Sequence, residues 1–389
     1  MVLTLALCFS LRFSACILLP QEASDSSAYI TLGKNIAAHS NYSLDGTTPY
    51  AYRAPGYPFF LSVFYKCGFN NPAILRMANA GIDTATCLIL LTMITMIGGS
   101  FATMLLAGLL FTCHPILIAS TTFILSETWA TFILILSLFW CVNALQNKKI
   151  ASFVLAGMCF AATILVKPSF IAAPLTIVIA TLIFRRDLFL RALLLALVCF
   201  ALLTPWSIRN YQAFNSFIPM SSQSGLQLWV GSAKEYDGLY HDDMRKEIQR
   251  VQATLPPGTI GFHHVDNVLR KEALTRIMAD PIGYTGFYLS KMIPFWLRIP
   301  GEQALLTGRK NLGIAIRGYH YLVLLMAIGG MAIGLKKKKL RTVSLFFLMM
   351  IAYTTVIHIL LGSLPRFYIP ILPIVILFAA LGASNRFKV

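Results

Sequence analysis

Stretches of about twenty apolar residues, each long enough to cross a bilayer core as one helix, recur along this 389-residue chain. In lipid every backbone N–H and C=O must find its partner inside the protein, so such a chain is committed to helices that bundle. Composition agrees. Only 12% of residues are charged, about half the share usual in a soluble domain, and the mean hydropathy is +0.71. The expected fold class is an all-α polytopic membrane protein.

Spans are expected at roughly 1–19, 80–98, 100–119, 128–145, 151–166, 170–184, 188–205, 313–335, 342–362 and 367–384. Basic clusters test that assignment: Lys148 with Lys149, Arg185 and Arg186 with Arg191, Lys336 to Lys339 with Arg341, and Arg386 with Lys388. Ten spans and a cytoplasmic N-terminus place all of them on the cytoplasmic side, as the positive-inside rule asks. The same rule accounts for the net charge of +17, so no nucleic-acid partner is expected and membrane lipids are.

The segment PIGYTGFYLSKMIPFWLRIP, residues 281–300, is apolar enough for an eleventh span, but that would put the tetralysine outside. Its Lys291, Pro294 and Arg298 suit a helix lying at the interface. FSAC before Pro20 has the look of a signal-peptide cleavage region, yet Arg12 interrupts the apolar run and favours a retained first helix. The chain then divides into an N-terminal transmembrane module (1–205) carrying a first outer loop (20–79), an outer loop region (206–312), and C-terminal transmembrane helices (313–389). Within the second, 264–279 has helical apolar spacing at Val265, Val268, Leu269 and Ile277, closed by Asp280-Pro281. Eight scattered cysteines without a CxxC pair, and seven histidines without zinc spacing, give neither a disulfide framework nor a metal knuckle.

Charge near the membrane divides by side. Asp25, Arg53, Glu127, Lys167, Arg209 and Arg366 all fall at or beside the outer ends of the expected spans. Charges in a bilayer pair with one another or line a wet cavity, so six on one face suggest a single polar cavity. Taken singly, a Lys or Arg there can equally be a snorkelling anchor. Ser126 is placed to cap the helix that Glu127 begins. Arg209, Asn210 and Tyr211 leave the seventh span together after Pro205 and Trp206. Asp83 is expected to pair with Arg12 or Arg76, Asp45 in LDGTTP reads as a turn, and His358 either faces the cavity or satisfies a neighbour.

Several fragments in this order carry a resemblance. An Asp followed by a Tyr in the first outer loop (Asp25, Tyr29), RAPGYP, SE before a span, KP, PWSIRNY followed by LWVG, and RFYIPILP together resemble the GT-C glycosyltransferases. More narrowly, they are similar to the bacterial family 39-like branch related to dolichyl-phosphate-mannose protein mannosyltransferases and the aminoarabinose transferase of lipid A. The likeness runs from Asp25 to Pro373; after Gly231 the outer region carries no matching signature, which leaves the acceptor open. The resemblance implies a GT-C-like bundle of about ten transmembrane helices with extracytoplasmic loop helices. It also implies transfer of a sugar from a polyprenyl-phosphate donor to a lipid, glycan or protein, on the outer face of the cytoplasmic membrane. It makes Asp25 the general base. Tyr29, Arg53, Tyr57, Glu127, Lys167, Arg209, Asn210, Tyr211 and Arg366 become substrate-binding residues, with Arg53, stiffened by Pro55, Gly56 and Pro58, foremost for the phosphate. No cofactor is implied, although Asp25 and Glu127 could share a divalent cation. The rival readings are a glycan ligase using a polyprenyl diphosphate donor, a flippase or transporter, and a non-catalytic relative.

Overall fold

The computed structural model describes residues 1–255, 261–300 and 310–384, and the C-terminal Arg386 and Lys388 lie outside them. In chain order the helices are α1 (Val2–Leu18), α2 (Ser24–His39), α3 (Gly56–Lys66), α4 (Pro72–Met96), α5 (Phe101–Thr112), α6 (Pro115–Thr121), α7 (Glu127–Asn147), α8 (Ile150–Val166), α9 (Ala173–Phe184) and α10 (Phe189–Phe214). There follow α11 (Ser224–Gly231), α12 (Asp243–Ala253), α13 (His263–Ala279), α14 (Pro281–Ser290), α15 (Met292–Leu297), α16 (Lys310–Lys336), α17 (Lys338–Leu360) and α18 (Leu372–Ser384). Among the described residues no strand occurs.

Among the described residues, six helical segments are long and apolar enough to cross a membrane: α4, α7, α10, α16, α17 and the segment Pro365–Ala383 that ends in α18. The pair α5–α6 makes a seventh, bent by 54°, and α1, α8 and Pro168–Phe184 are shorter apolar helices. The chain is a multi-pass membrane protein. The bend has a local cause. Pro115 lacks an amide proton and pushes His114 into an extended conformation (ψ 111°), so α5 must stop. Two carbonyls at the end of α5, Phe111 O and Thr112 O, accept hydrogen bonds from Arg12 on α1 at 3.1 Å each. Arg12 is fully buried and also pairs with Asp83 on α4; Arg76 is instead bound to the carbonyls of Thr122 and Gln21. Elsewhere α16 meets α18 backbone to backbone: a Cβ at Gly330 would lie 1.7 Å from the Phe378 carbonyl oxygen, so only glycine permits the approach.

Two span boundaries differ from the sequence reading, and the non-spanning helix expected over 281–300 is divided in two. The second span starts at Pro72 rather than near residue 80, because Asn71 caps it by accepting from the Ala73 amide. The seventh does not stop at Pro205: α10 runs through it to Phe214, as membrane helices can when neighbours satisfy the freed groups. Residues 281–300 form α14 and α15, both too short to span and broken at Lys291. On α13, Val265 and Leu269 are buried as their spacing requires, but Val268 is exposed.

The loop-rich end of the bundle carries a small cap. Leu226, Trp229 and Val230 of α11 pack on Val265, Leu269 and Ala273 of α13, with Met244 and Val251 of α12. The N-terminus of α11 is capped from a distance: the Asp266 carboxylate accepts from the Gly225 and Leu226 amides at 2.9 and 2.8 Å. Lys291 fastens the cap to the bundle, donating to the carbonyls of Gly231 (2.8 Å) and Leu361 (3.3 Å).

Candidate active site

Four helix ends converge beneath this cap. Asp25 lies in the first turn of α2, where the helix dipole favours a carboxylate. Glu127 is the first residue of α7, and Ser126 takes the capping position without a side-chain cap bond. Lys167 ends α8, stopped by the following Pro168. Arg366 sits between α17 and α18 in a short 3₁₀ segment, Pro365–Ile371. Arg53 comes from the loop that enters α3. Gly56 is required there by close approach, since a Cβ would stand 2.7 Å from the Leu165 backbone at the end of α8. The proline-rich turn expected from RAPGYP is therefore the entry to α3, with Pro58 inside its first turn, and it is docked directly on α8.

Five charges form one network. Asp25 binds Arg53 through one carboxylate oxygen and Arg366 through the other, both at 2.5 Å. Glu127 accepts from Lys167 at 3.1 Å and lies 3.6 Å from the Arg366 Nε. Burial pushes the Asp25 carboxyl up, but Arg366 and then Arg53 outweigh it and hold the group below its ordinary value. Glu127 Oε2, Arg53 Nε and Arg366 Nε are buried with no hydrogen-bond partner among the described residues. All five charged side chains line one cavity of about 390 Å³, which also meets Tyr29, Ser169, Gln223 and His358. A second cavity of about 250 Å³ shares Glu127 and Arg366 with it and is otherwise mostly apolar, with Pro115, Ile116, Ile316 and Ile369 in its wall.

The remaining sequence candidates fall elsewhere. Tyr57 is 1% exposed and packs edge-on behind Tyr29, with ring centroids 5.1 Å apart, so it supports the wall without forming it. Arg209 donates to the carbonyls of Tyr50 (2.9 Å) and Tyr42 (3.2 Å) and stacks over Trp206, fastening α10 to the first loop. Asn210 is buried and donates to the Ile218 carbonyl at 2.9 Å, whereas Tyr211 is 55% exposed. None of the three lines the cavity. Asp45 is held by the hydroxyls of Thr48 and Ser43 and the amides of Thr47 and Thr48, which keep its carboxyl low and away from the cavity. Gln223 and Ser169 had no sequence signal beyond lying in polar loops.

No family model matches the sequence, and no curated protein does. Solved structures do match. The archaeal oligosaccharyltransferase AglB from Archaeoglobus fulgidus, solved with an inhibitory peptide and a dolichol-phosphate, aligns over 99% of this chain and 50% of its own, at 13% identity and a TM-score of 0.57. This chain thus spans about half the length of AglB. ArnT from Cupriavidus metallidurans aligns in the apo state over 93% of this chain and 77% of its own (17% identity, TM-score 0.48). With undecaprenyl phosphate bound it aligns over 95% and 77% (16% identity, TM-score 0.49). The fold on which these five charged side chains converge is the one AglB has over the half of its length that aligns.

Proposed function

We propose that this chain is a membrane glycosyltransferase that takes a sugar from a polyprenyl-phosphate-linked donor and passes it to an acceptor on the outer face of the cytoplasmic membrane. The observation that carries this reading is the charge of the cavity wall. Three cations, Arg53, Lys167 and Arg366, face two carboxylates, Asp25 and Glu127, leaving one positive charge over. A departing phosphate needs such cationic donors where its charge develops, and guanidinium forks grip phosphate oxygens bidentately. The dolichol-phosphate in AglB supports the donor class. The apolar cavity across Arg366 and Glu127 gives the first isoprene units of the carrier a place beside the phosphate.

The network also suggests how binding prepares the reaction. The donor phosphate competes with Asp25 for Arg53 and Arg366, so its arrival frees the carboxylate that these residues hold. The acceptor hydroxyl oxygen then bonds to the anomeric carbon while the bond from that carbon to the phosphate oxygen breaks. The electron pair leaves with the phosphate, and the hydroxyl proton passes to Asp25. One displacement of this kind inverts the anomeric centre, and a hexosyl or pentosyl group fits the scheme.

Two measurements test the reading. Protein in lipid nanodiscs, given labelled polyprenyl-phosphate sugars and an envelope extract as acceptor source, is expected to release polyprenyl phosphate. If no donor in the panel is bound or cleaved, the reading fails. Reporter fusions after Lys339 and within residues 235–255 are expected to report opposite sides of the membrane. Fusions on the same side would remove the cavity from the outer face.

A further inference from the structure

The cavity wall holds three polar side chains that the charge network leaves unexplained. His358 on α17 lines the cavity, is 2% exposed, and has neither ring nitrogen hydrogen-bonded among the described residues. Its ring is held by Phe367 and Phe295, at centroid separations of 4.8 and 5.7 Å, so it is clamped in orientation and open at its polar atoms. Gln223 Nε2 and Ser169 Oγ line the same cavity and are likewise buried without a hydrogen-bond partner among the described residues. A native interior rarely leaves three neutral polar side chains unsatisfied, and where it does the missing partner is often a ligand or water. A neutral imidazole offers one donor and one acceptor, a hydroxyl offers both, and the free amide group of Gln223 offers donors. Their shared complement is a set of hydroxyl groups.

We infer that His358, Gln223 and Ser169 form a hydroxyl-reading subsite for an uncharged sugar, a neutral hexose or pentose, and that the site disfavours sugars carrying an ionised amine or carboxylate. This rests on the glycosyl-transfer reading and deepens it by naming the substrate class. Charge decides the point. The donor phosphodiester offsets the one cation in excess, so an ammonium group would bring a positive charge that nothing is left over to balance. A sugar carboxylate would need a counter-charge that the donor phosphate has taken. A neutral sugar asks for hydrogen bonds alone, and those are what His358, Gln223 and Ser169 supply.

The test uses the full chain in nanodiscs and a panel of synthetic polyprenyl-phosphate donors: a neutral hexose, a neutral pentose, an amino sugar, a uronic acid, and single-deoxy versions of the preferred sugar. Wild-type protein is expected to use neutral donors over charged ones. For at least one deoxy position it should lose about 5- to 100-fold in kcat/KM, the scale of leaving a buried polar group unpaired. In His358→Ala that penalty should vanish, because the partner is gone. Binding of sugar-free polyprenyl phosphate, read by competition, should stay within about twofold of wild type, which separates the effect from misfolding. A preference for the amino sugar or the uronic acid overturns the inference, as does a deoxy penalty that persists in both His358→Ala and Gln223→Ala. Failure of wild-type protein to bind any polyprenyl-phosphate compound would instead overturn the glycosyl-transfer reading beneath it.

Discussion

Asp25→Asn is expected to lower turnover by about 100- to 10,000-fold, the usual worth of general-base assistance, while polyprenyl-phosphate sugar still binds. The substitution keeps size and hydrogen-bonding capacity, and it leaves Arg53, Lys167 and Arg366 in place for the phosphate. The wild-type pH profile should carry a second signature. In the free protein Asp25 is held low by Arg366 and Arg53 against the upward push of burial. The acid limb of kcat/KM, which reports the free protein, should therefore lie below the ordinary carboxylate range. If the donor phosphate draws those guanidinium groups away, burial acts unopposed and the limb of kcat, which reports the bound complex, should lie higher. Coincident limbs would mean that the arginines never change partner. Near-normal turnover by Asp25→Asn would move the base to Glu127, whose Oε2 is the one carboxylate oxygen of the pair left without a hydrogen bond among the described residues. Glu127→Gln should lose less than Asp25→Asn if Glu127 only orients the sugar. A comparable loss, together with inhibition of wild type by a chelator, would point to a cation shared by the two carboxylates.

What the sequence disclosed of this site follows from where each residue sits on its helix. Asp25, Glu127, Lys167 and Arg366 each mark a helix end, flanked by Ser or Pro, and charges at span ends are visible against an apolar background. The structure brings all four and Arg53 to one cavity. Arg209, Asn210 and Tyr211 looked alike by the same logic, but the helix does not end before them. Successive residues on a continuing helix point about 100° apart, so one packs on the first loop, one faces inward and one faces out. Pro205 hid that continuity, because proline usually ends a helix and only the surrounding bundle lets this one pass. The cap was less legible still. Asp266 closes the N-terminus of α11 from about forty residues away, a pairing that no local pattern announces. His358 was visible as a polar residue in a span, but which of its sides met a cavity depended on the packing of Phe295 and Phe367 around it.

The largest expected effect on stability lies away from the cavity, at Arg12 and Asp83. Both are buried, on α1 and α4, and Arg12 also binds the carbonyls freed where α5 breaks before Pro115. Removing one member of a buried ion pair typically costs about 3–5 kcal/mol, since the other is left without its counter-charge in a medium that solvates it poorly. Arg12→Met should therefore lower the unfolding midpoint in detergent sharply, and Asp83→Leu should do the same. The double variant Arg12→Met/Asp83→Leu separates two contributions. Replacing a buried pair by apolar residues of similar volume is often neutral or stabilising, so the charge penalty should disappear. The carbonyls of Phe111 and Thr112 would still lose Arg12 as a donor, and the bend between α5 and α6 would lose that support. The double variant is therefore expected to unfold between wild type and the single variants. Recovery to the wild-type midpoint would show that the carbonyl contacts contribute little. A single variant as stable as wild type would mean that the pair does not hold α1 in the bundle.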